Sequence, residues 1–240
     1  MVSNPRLLCL VPLLLLAACA ALPAGTSTQP GEKVPSEDPL ILNFHAVGMI
    51  NGHDNIFRSA SPMHDLAKAG TYDPTSAAAR AAAVLRLKSL YARGIRTVIS
   101  LEHADATKED KAAWMALEKA AAQDVGMNLV SLPVANSGPD SLQTSSDEAV
   151  LKQLQTIGDE IMKDAQIGGI DVHCSGGHDR TGVVVAFLRV KYQHWTADRA
   201  IQEMRLYGHN WIKFSGNGGL SSWHEDHLRA IAPMLNAAAP

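Results

Sequence analysis

The sequence predicts an α/β sandwich. Two observations carry that prediction: short β-branched, apolar runs alternate with helix-like segments, and a glycine-rich turn joins the last of those runs to a strongly apolar helix. Residues 41–44 and 56–57 are apolar stretches that supply one or two opening strands. Residues 76–93 are alanine-rich, with Val84, Leu87 and Tyr91 on a helical repeat and Gly94 where a helix commonly stops. Residues 97–101 (TVISL) read as a strand, 109–124 as a helix and 128–134 as another strand. Ser145 and Glu148 have the spacing of a capping box ahead of Val150, Leu151, Leu154 and Ile157, which starts a helix reaching about Lys163. A short buried strand at 170–173 precedes a central helix that begins at Thr181 and carries Val183, Val184, Phe187, Leu188 and Val190. A capped helix at 196–206, a glycine-rich loop at 208–219 and a last helix at 221–235 complete the chain.

Hydrophobic residues make up 46% of the 240 residues and charged ones 19%, an ordinary globular composition whose length suits one catalytic domain with a sizeable core. The formal charge is −3, and setting aside the N-terminal leader with its one charged residue, Arg6, makes it one unit more negative. That balance argues against an electrostatic nucleic-acid binder.

Residues 1–19 combine Arg6, an apolar stretch over 7–16 and small residues beyond it, as a secretory signal does, and the stretch is short for a bilayer span. Leu16, Ala17, Ala18 and Cys19 resemble the lipobox of bacterial lipoproteins, which implies export, a lipidated Cys19 and attachment to a membrane of the cell envelope. Cleavage after Ala20 instead implies a periplasmic or secreted chain. Residues 20–38, rich in Pro, Gly, Ser and Thr, read as a flexible linker, and the domain is expected over 39–240. With Cys9 inside the leader and Cys19 lipidated or removed, Cys174 is the one thiol left, so it is either an apolar filler or a reactive group.

Its neighbours choose between the two. Residues 173–182 read HCSGGHDRTG: His173 precedes the cysteine, Gly177 follows it, Arg180 stands six positions on, and Thr181 and Gly182 come next. This segment resembles the signature loop of the protein tyrosine and dual-specificity phosphatase superfamily, with Cys174, Gly177, Arg180, Thr181 and Gly182 all in pattern. The resemblance extends more loosely from FRSASP at 57–62, through 146–148, to the helix after the loop, and is strongest to small bacterial atypical dual-specificity phosphatases. It implies a single-domain, phosphatase-like sandwich with a central mixed, largely parallel sheet flanked by helices. It also implies metal-independent catalysis without a cofactor, acting on a phosphorylated protein or a small phosphomonoester.

Physical chemistry assigns each residue of the loop a task. A turn from strand to helix N-terminus aims backbone N–H groups at a tetrahedral dianion, so Ser175, Gly176, Gly177, His178, Asp179 and Arg180 form the phosphate cradle. Gly176 and Gly177 allow close backbone approach. Arg180 offers a planar fork to two phosphoryl oxygens. The same amides favour a thiolate at Cys174, which attacks phosphorus and forms a phosphocysteine that water then clears. Thr181 either donates its hydroxyl to the departing thiolate or caps the helix. His173 either orders the loop or is a satisfied core residue.

Two aspartates compete to protonate the leaving oxygen. In many relatives the acid lies on a loop some thirty residues before the cysteine, and Asp140, 34 residues upstream, fits that place. In the similar loops of myotubularins and of some secreted bacterial phosphatases, the aspartate just before the arginine is thought to serve. Asp179 holds that position and is favoured, with loop scaffolding as its plainer role. Asp147 is expected at a helix N-terminus, and Arg58 either at the pocket mouth or in a surface ion pair. His224 and His227 read as a solvated helix face rather than a metal site, and Trp114, Trp195, Trp211 and Trp223 as packing residues. The leading function is a phosphomonoesterase acting on phosphotyrosine and on phosphoserine or phosphothreonine. An inositol phosphate or phosphoinositide phosphatase, and a catalytically silent phosphate-binding module, are the alternatives.

Overall fold

The computed structural model describes residues 35–68, 75–103, 109–135, 141–209, 213–214 and 220–237, all of which fall in one unit, Lys33–Pro240. In chain order the elements are β1 (His45–Ala46), β2 (Ile56–Ala60), α1 (His64–Lys68), α2 (Ala77–Ala92), β3 (Ile95–Ser100), α3 (Glu109–Val125) and β4 (Asn128–Ser131). They continue with α4 (Asp147–Asp164), β5 (Gly169–Cys174), α5 (Arg180–Gln193), α6 (Ala197–Leu206), β6 (Lys213–Phe214), β7 (Leu220–Ser221) and α7 (Trp223–Ala237). The main sheet has the order β1-β2-β5-β3-β4, with β1 antiparallel to β2 and every other pairing parallel. The mixed, largely parallel α/β sandwich expected from the sequence is the fold.

Strand β5 lies between β2 and β3, and all six of its residues are buried. Alternation gives it two different faces. Ile170, Val172 and Cys174 join the core layer of α4, α5, α6 and α7, with Leu154, Phe187, Ile201 and Leu228. A second layer packs Ala83, Leu87 and Leu90 of α2 against Leu117 and Ala121 of α3 and Val98 of β3. Asp171 and His173 occupy the other face of β5. There Asp171 accepts a hydrogen bond from Ser59 Oγ at 2.8 Å, and His173 meets Glu118 of α3. The strand that ends in the cysteine is thus held by apolar packing on one side and buried charge on the other.

Several boundaries differ from expectation for identifiable reasons. Residues 41–44 are no strand: Ile41 and Phe44 are core residues within a turn, and Asn43 takes a left-handed φ of 52°. The cap of α4 is Ser146, whose side chain accepts from Ala149 N–H, while Ser145 Oγ donates to the Ser141 carbonyl at 2.8 Å. The cap is therefore displaced by one residue, and with Ala149 at the third helical position no reciprocal capping box forms. Strand β4 ends at Ser131, before Pro133, which has no N–H to continue the ladder. The short helix α1 and the small hairpin β6–β7 were unexpected; β6 lies in the segment read as a loop and β7 at its junction with the last helix, while residues 210–212 and 215–219 are outside the described residues.

The linker expected up to residue 38 joins the domain sooner. Asp38 is buried and accepts from Leu40 N–H at 2.7 Å, Ser89 Oγ at 2.7 Å and Arg93 Nε at 3.0 Å. Burial works against its charge, but these partners hold its carboxyl below the usual carboxylate range. Residues 1–34, including Cys9 and Cys19, are outside the described residues.

Candidate active site

The loop from Cys174 to Arg180 connects the central strand to the first turn of α5. Its shape follows from where its carbonyls go. Ser61 N–H donates to the carbonyl of Cys174 at 2.7 Å and to that of Ser175 at 3.2 Å. Asn43 Nδ2 donates to the carbonyl of Gly177 at 2.9 Å and approaches that of Gly176 at 3.4 Å. Arg58 Nη2 donates to the same Gly177 carbonyl at 2.7 Å. Four successive carbonyls are thereby tied to the segments around β2. Because a trans peptide sets its N–H opposite its C=O, the amides that follow turn the other way, into the concave side. The close approach requires glycine at 177: φ is +70°, and a Cβ there would lie 2.4 Å from the Ser59 carbonyl oxygen and 2.5 Å from Ala60 N.

Cys174 is a buried free thiol at the start of this concavity. Arg180 enters from the other end, also buried. Its Nη1 donates to the carbonyls of Leu101 at 3.0 Å and Val134 at 3.4 Å, and its Nη2 to Glu102 Oε2 at 3.4 Å. Lys111 Nζ stands 2.8 Å from the same carboxylate oxygen. Burial opposes the charge on Glu102, but Arg180, Lys111 and His173 outweigh it and hold the carboxyl below its ordinary range. The guanidinium is thus fixed by the end of β3 before any ligand arrives, which removes an ordering cost from anion binding.

Residues 76–215, more than half of the chain, match the family described as "Swiss Army Knife protein, DSP-PTPase phosphatase domain". The chain belongs to this family. It is 30% identical over 114 residues to the dual specificity protein phosphatase TpbA of Pseudomonas aeruginosa (strain UCBPP-PA14), a match that spans 48% of this chain and 42% of the relative. The chain therefore aligns with less than half the length of that relative. The kinase associated phosphatase, solved with its catalytic-site cysteine replaced by serine, superposes with a TM-score of 0.56 at 15% identity, covering 85% of this chain and 100% of that one, a likeness of fold. The crystal structure of P. aeruginosa TpbA gives a TM-score of 0.49 at 18% identity over 85% of this chain and 94% of that one.

The DSP-PTPase loop brings together most of the residues singled out in the sequence. Ser175, Gly176, His178 and Asp179 are partly exposed around the concavity, and Gly177, Arg180 and Thr181 are buried. His178 lies between two glycines: a Cβ at Gly176 would come within 3.0 Å of its Nδ1, and one at Gly208 within 2.8 Å of its Cδ2. Asp179 occupies the N-cap position of α5 but makes no side-chain cap bond; its Oδ1 sits 2.6 Å from Nδ1 of His209 instead. Asp140 lies outside the described residues. Thr181 is not the cap of α5, since it follows the N-cap Asp179, and its buried hydroxyl has no hydrogen-bond partner among the described residues.

His173 orders no loop atom with its ring. It forms a buried ion pair with Glu118 at 3.1 Å; burial disfavours the cation, but Glu118, Asp171 and Glu102 overcome this and push the imidazole up to about 9. Burial raises the neighbouring Asp171 to about 6, against the pull of His173 and Ser59. Arg58 is neither at the pocket mouth nor in a surface pair: it is 1% exposed, with its guanidinium carbon 4.5 Å from the centroid of Tyr207, and desolvation lowers it to about 10. The face read as solvated on α7 is largely occupied. His227 contacts Asp147 Oδ1 and the Leu142 carbonyl, both at 2.6 Å, and buried His224 stacks on Trp223 with ring centroids 3.5 Å apart. Sequence reasoning missed Asn43, Glu102, Lys111 and His209. Each lay in or beside an expected element, Asn43 in the stretch 41–44, Glu102 directly after the TVISL strand, Lys111 in the helix over 109–124 and His209 in the loop over 208–219, but nothing local marked its contact with the site.

Proposed function

We propose that this chain is a metal-independent, cysteine-dependent phosphomonoesterase of dual-specificity type, acting on phosphotyrosine and on phosphoserine or phosphothreonine in proteins. The observation that carries the reading is the outward anchoring of the carbonyls from Cys174 to Gly177, which makes an inward-facing amide cradle with a free thiol at one end and a pre-fixed Arg180 at the other. In this reading the Cys174 thiolate attacks phosphorus, the bond to the ester oxygen breaks, and that oxygen takes a proton from Asp179. Water then attacks the phosphocysteine, gives its proton to the Asp179 carboxylate, and the electron pair of the sulfur–phosphorus bond returns to Cys174. Arg180 and the amides gain hydrogen-bond strength as charge spreads over the equatorial oxygens.

Hydrolysis of an aryl phosphate in the presence of a chelator, compared with Cys174→Ser, tests this. Chelator-resistant turnover that vanishes in the variant while inorganic phosphate still binds supports it; equal turnover in the variant refutes it. Phosphate binding with no turnover in the unaltered chain would make the protein a silent phosphate-binding module. The loop has no lysine between Cys174 and Arg180 to meet further phosphates, which favours a protein phosphoester over an inositol phosphate.

We further propose that the chain is exported and lipid-anchored in a bacterial envelope through Cys19, a reading supported by the apolar stretch over 7–16 and the residues Leu16 to Cys19. Incorporation of labelled fatty acid that is lost in Cys19→Ser tests it; equal labelling of both chains refutes it.

A further inference from the structure

Resting on the reading of Asp179 as the general acid, we infer that His209 is the positioning residue for that acid. Its ring fixes one carboxyl oxygen of Asp179 and leaves the other to carry the proton that is transferred.

Nothing local holds the Asp179 carboxyl, since it makes no cap bond to its own helix. His209 holds it from a distant segment, with Nδ1 2.6 Å from Oδ1. The ring is itself set by the end of α6. Gly208 takes a left-handed φ of 92°, its N–H donates to the Arg205 carbonyl at 3.1 Å, and the His209 N–H donates to the Met204 carbonyl at 3.1 Å. That is a helix C-terminus closed by a left-handed glycine, a rigid mount for the residue that follows.

The remaining contacts define the tautomer. His209 Nε2 is 3.1 Å from Ser222 Oγ, and Ser222 Oγ is 3.4 Å from His224 Nδ1. Burial drives His224 down to about 3, so it is a neutral ring. A consistent direction runs through the chain: His224 Nδ1–H donates to Ser222 Oγ, the Ser222 hydroxyl donates to His209 Nε2, and His209 Nδ1–H donates to Asp179 Oδ1. With Oδ1 accepting, the acidic proton resides on Oδ2. Glu225 lies 3.6 Å from His209 Nε2, and its carboxylate is paired with Arg205 at 2.9 and 2.6 Å. The burial fits the task, because the His209 side chain is 1% exposed while that of Asp179 keeps 20%. The anchor is dry and the acid retains a face toward solvent.

The test compares Asp179→Asn, His209→Ala and His209→Asn in the full chain, on phenyl phosphate, a poor leaving group, and dinitrophenyl phosphate, a good one. Asp179→Asn should lose about 10²-fold or more on the first and little on the second. His209→Ala should lose on the order of tenfold on phenyl phosphate, less than about twofold on dinitrophenyl phosphate, and keep its inhibition by orthovanadate. His209→Asn, whose amide N–H reaches the place of Nδ1–H, should recover much of the rate. If His209→Ala does not fold, Ser222→Ala carries the same comparison. Equal loss on both substrates, or no loss, with Asp179→Asn still selective, overturns the role of His209 and leaves the acid standing. An unselective Asp179→Asn overturns the acid reading and the inference together.

Discussion

Arg58 Nη2 lies 2.7 Å from the carbonyl oxygen of Gly177, across 119 residues of chain, and this bond ties strand β2 to the middle of the signature loop. The guanidinium is buried, with Nε and Nη1 lacking hydrogen-bond partners among the described residues, so the protein bears a desolvation cost to keep it there. Arg58→Met removes the tie and leaves the Gly177 carbonyl with Asn43 alone. Inorganic phosphate should bind about tenfold more weakly, since one buried hydrogen bond to a charged group contributes about 1.5–3 kcal/mol. Unchanged affinity by calorimetry would show that Asn43 and Ser61 shape the loop without it.

Gly177→Ala meets backbone rather than side chain. With φ at +70° and the Ser59 carbonyl oxygen 2.4 Å from the new Cβ, neither partner can give without moving β2. The variant should lose about 1–3 kcal/mol of stability from backbone strain alone, and phosphate binding with it. A thermal melt and a phosphate titration check both, and a well-folded variant with normal binding contradicts the close packing of loop on strand.

Glu102→Gln keeps the shape of the side chain and removes the charge that faces both Arg180 and Lys111. Arg180 then keeps its carbonyl partners at Leu101 and Val134 and loses the ion pair with residue 102. The expected result is a fall in kcat/KM of about tenfold, mostly in kcat, because the clamp matters most as charge redistributes in the transition state. A change confined to KM would mean that Glu102 serves ground-state binding instead.

The charges beneath the loop predict how stability follows pH. His173 is raised to about 9 from its ordinary 6.5, so the stability it contributes is present below about 6.5 and is lost as pH rises through about 9. Asp171, raised to about 6 from 3.8, acts in the same direction at lower pH: the folded state holds its proton longer, and stability declines between about 4 and 6. Denaturant midpoints should therefore fall between pH 6.5 and 9.5, and His173→Gln should flatten that decline. An unchanged slope in the variant would place the titrating group elsewhere.

The sandwich was legible because the main strands contain short β-branched, apolar stretches and helices carry local start or stop signals, as at Ser76, Gly94 and Thr196. The loop was legible because strand, glycines, cysteine and arginine are contiguous. What the sequence concealed is long-range: Asn43 acts through a left-handed turn, and His209 reaches Asp179 from beyond α6. The cap at Ser146 was misplaced by one residue because Ser145 and Ser146 are both capable of capping, and only Ser145's own bond to the Ser141 carbonyl separates them.

The distances along the chain also set an order of events. Cys174 pairs with Ala60 in the sheet, Asn43 reaches Gly177 across 134 residues, and Arg180 reaches Leu101 across 79. Each contact closes a large loop, and such closures come late in folding because their entropy must be overcome before they return any stability. Helices α2 to α4 can form while the cradle does not yet exist. In a refolding experiment the helical signal should therefore return before affinity for phosphate, so that a newly made chain is already largely structured while it is still inert toward phosphoesters.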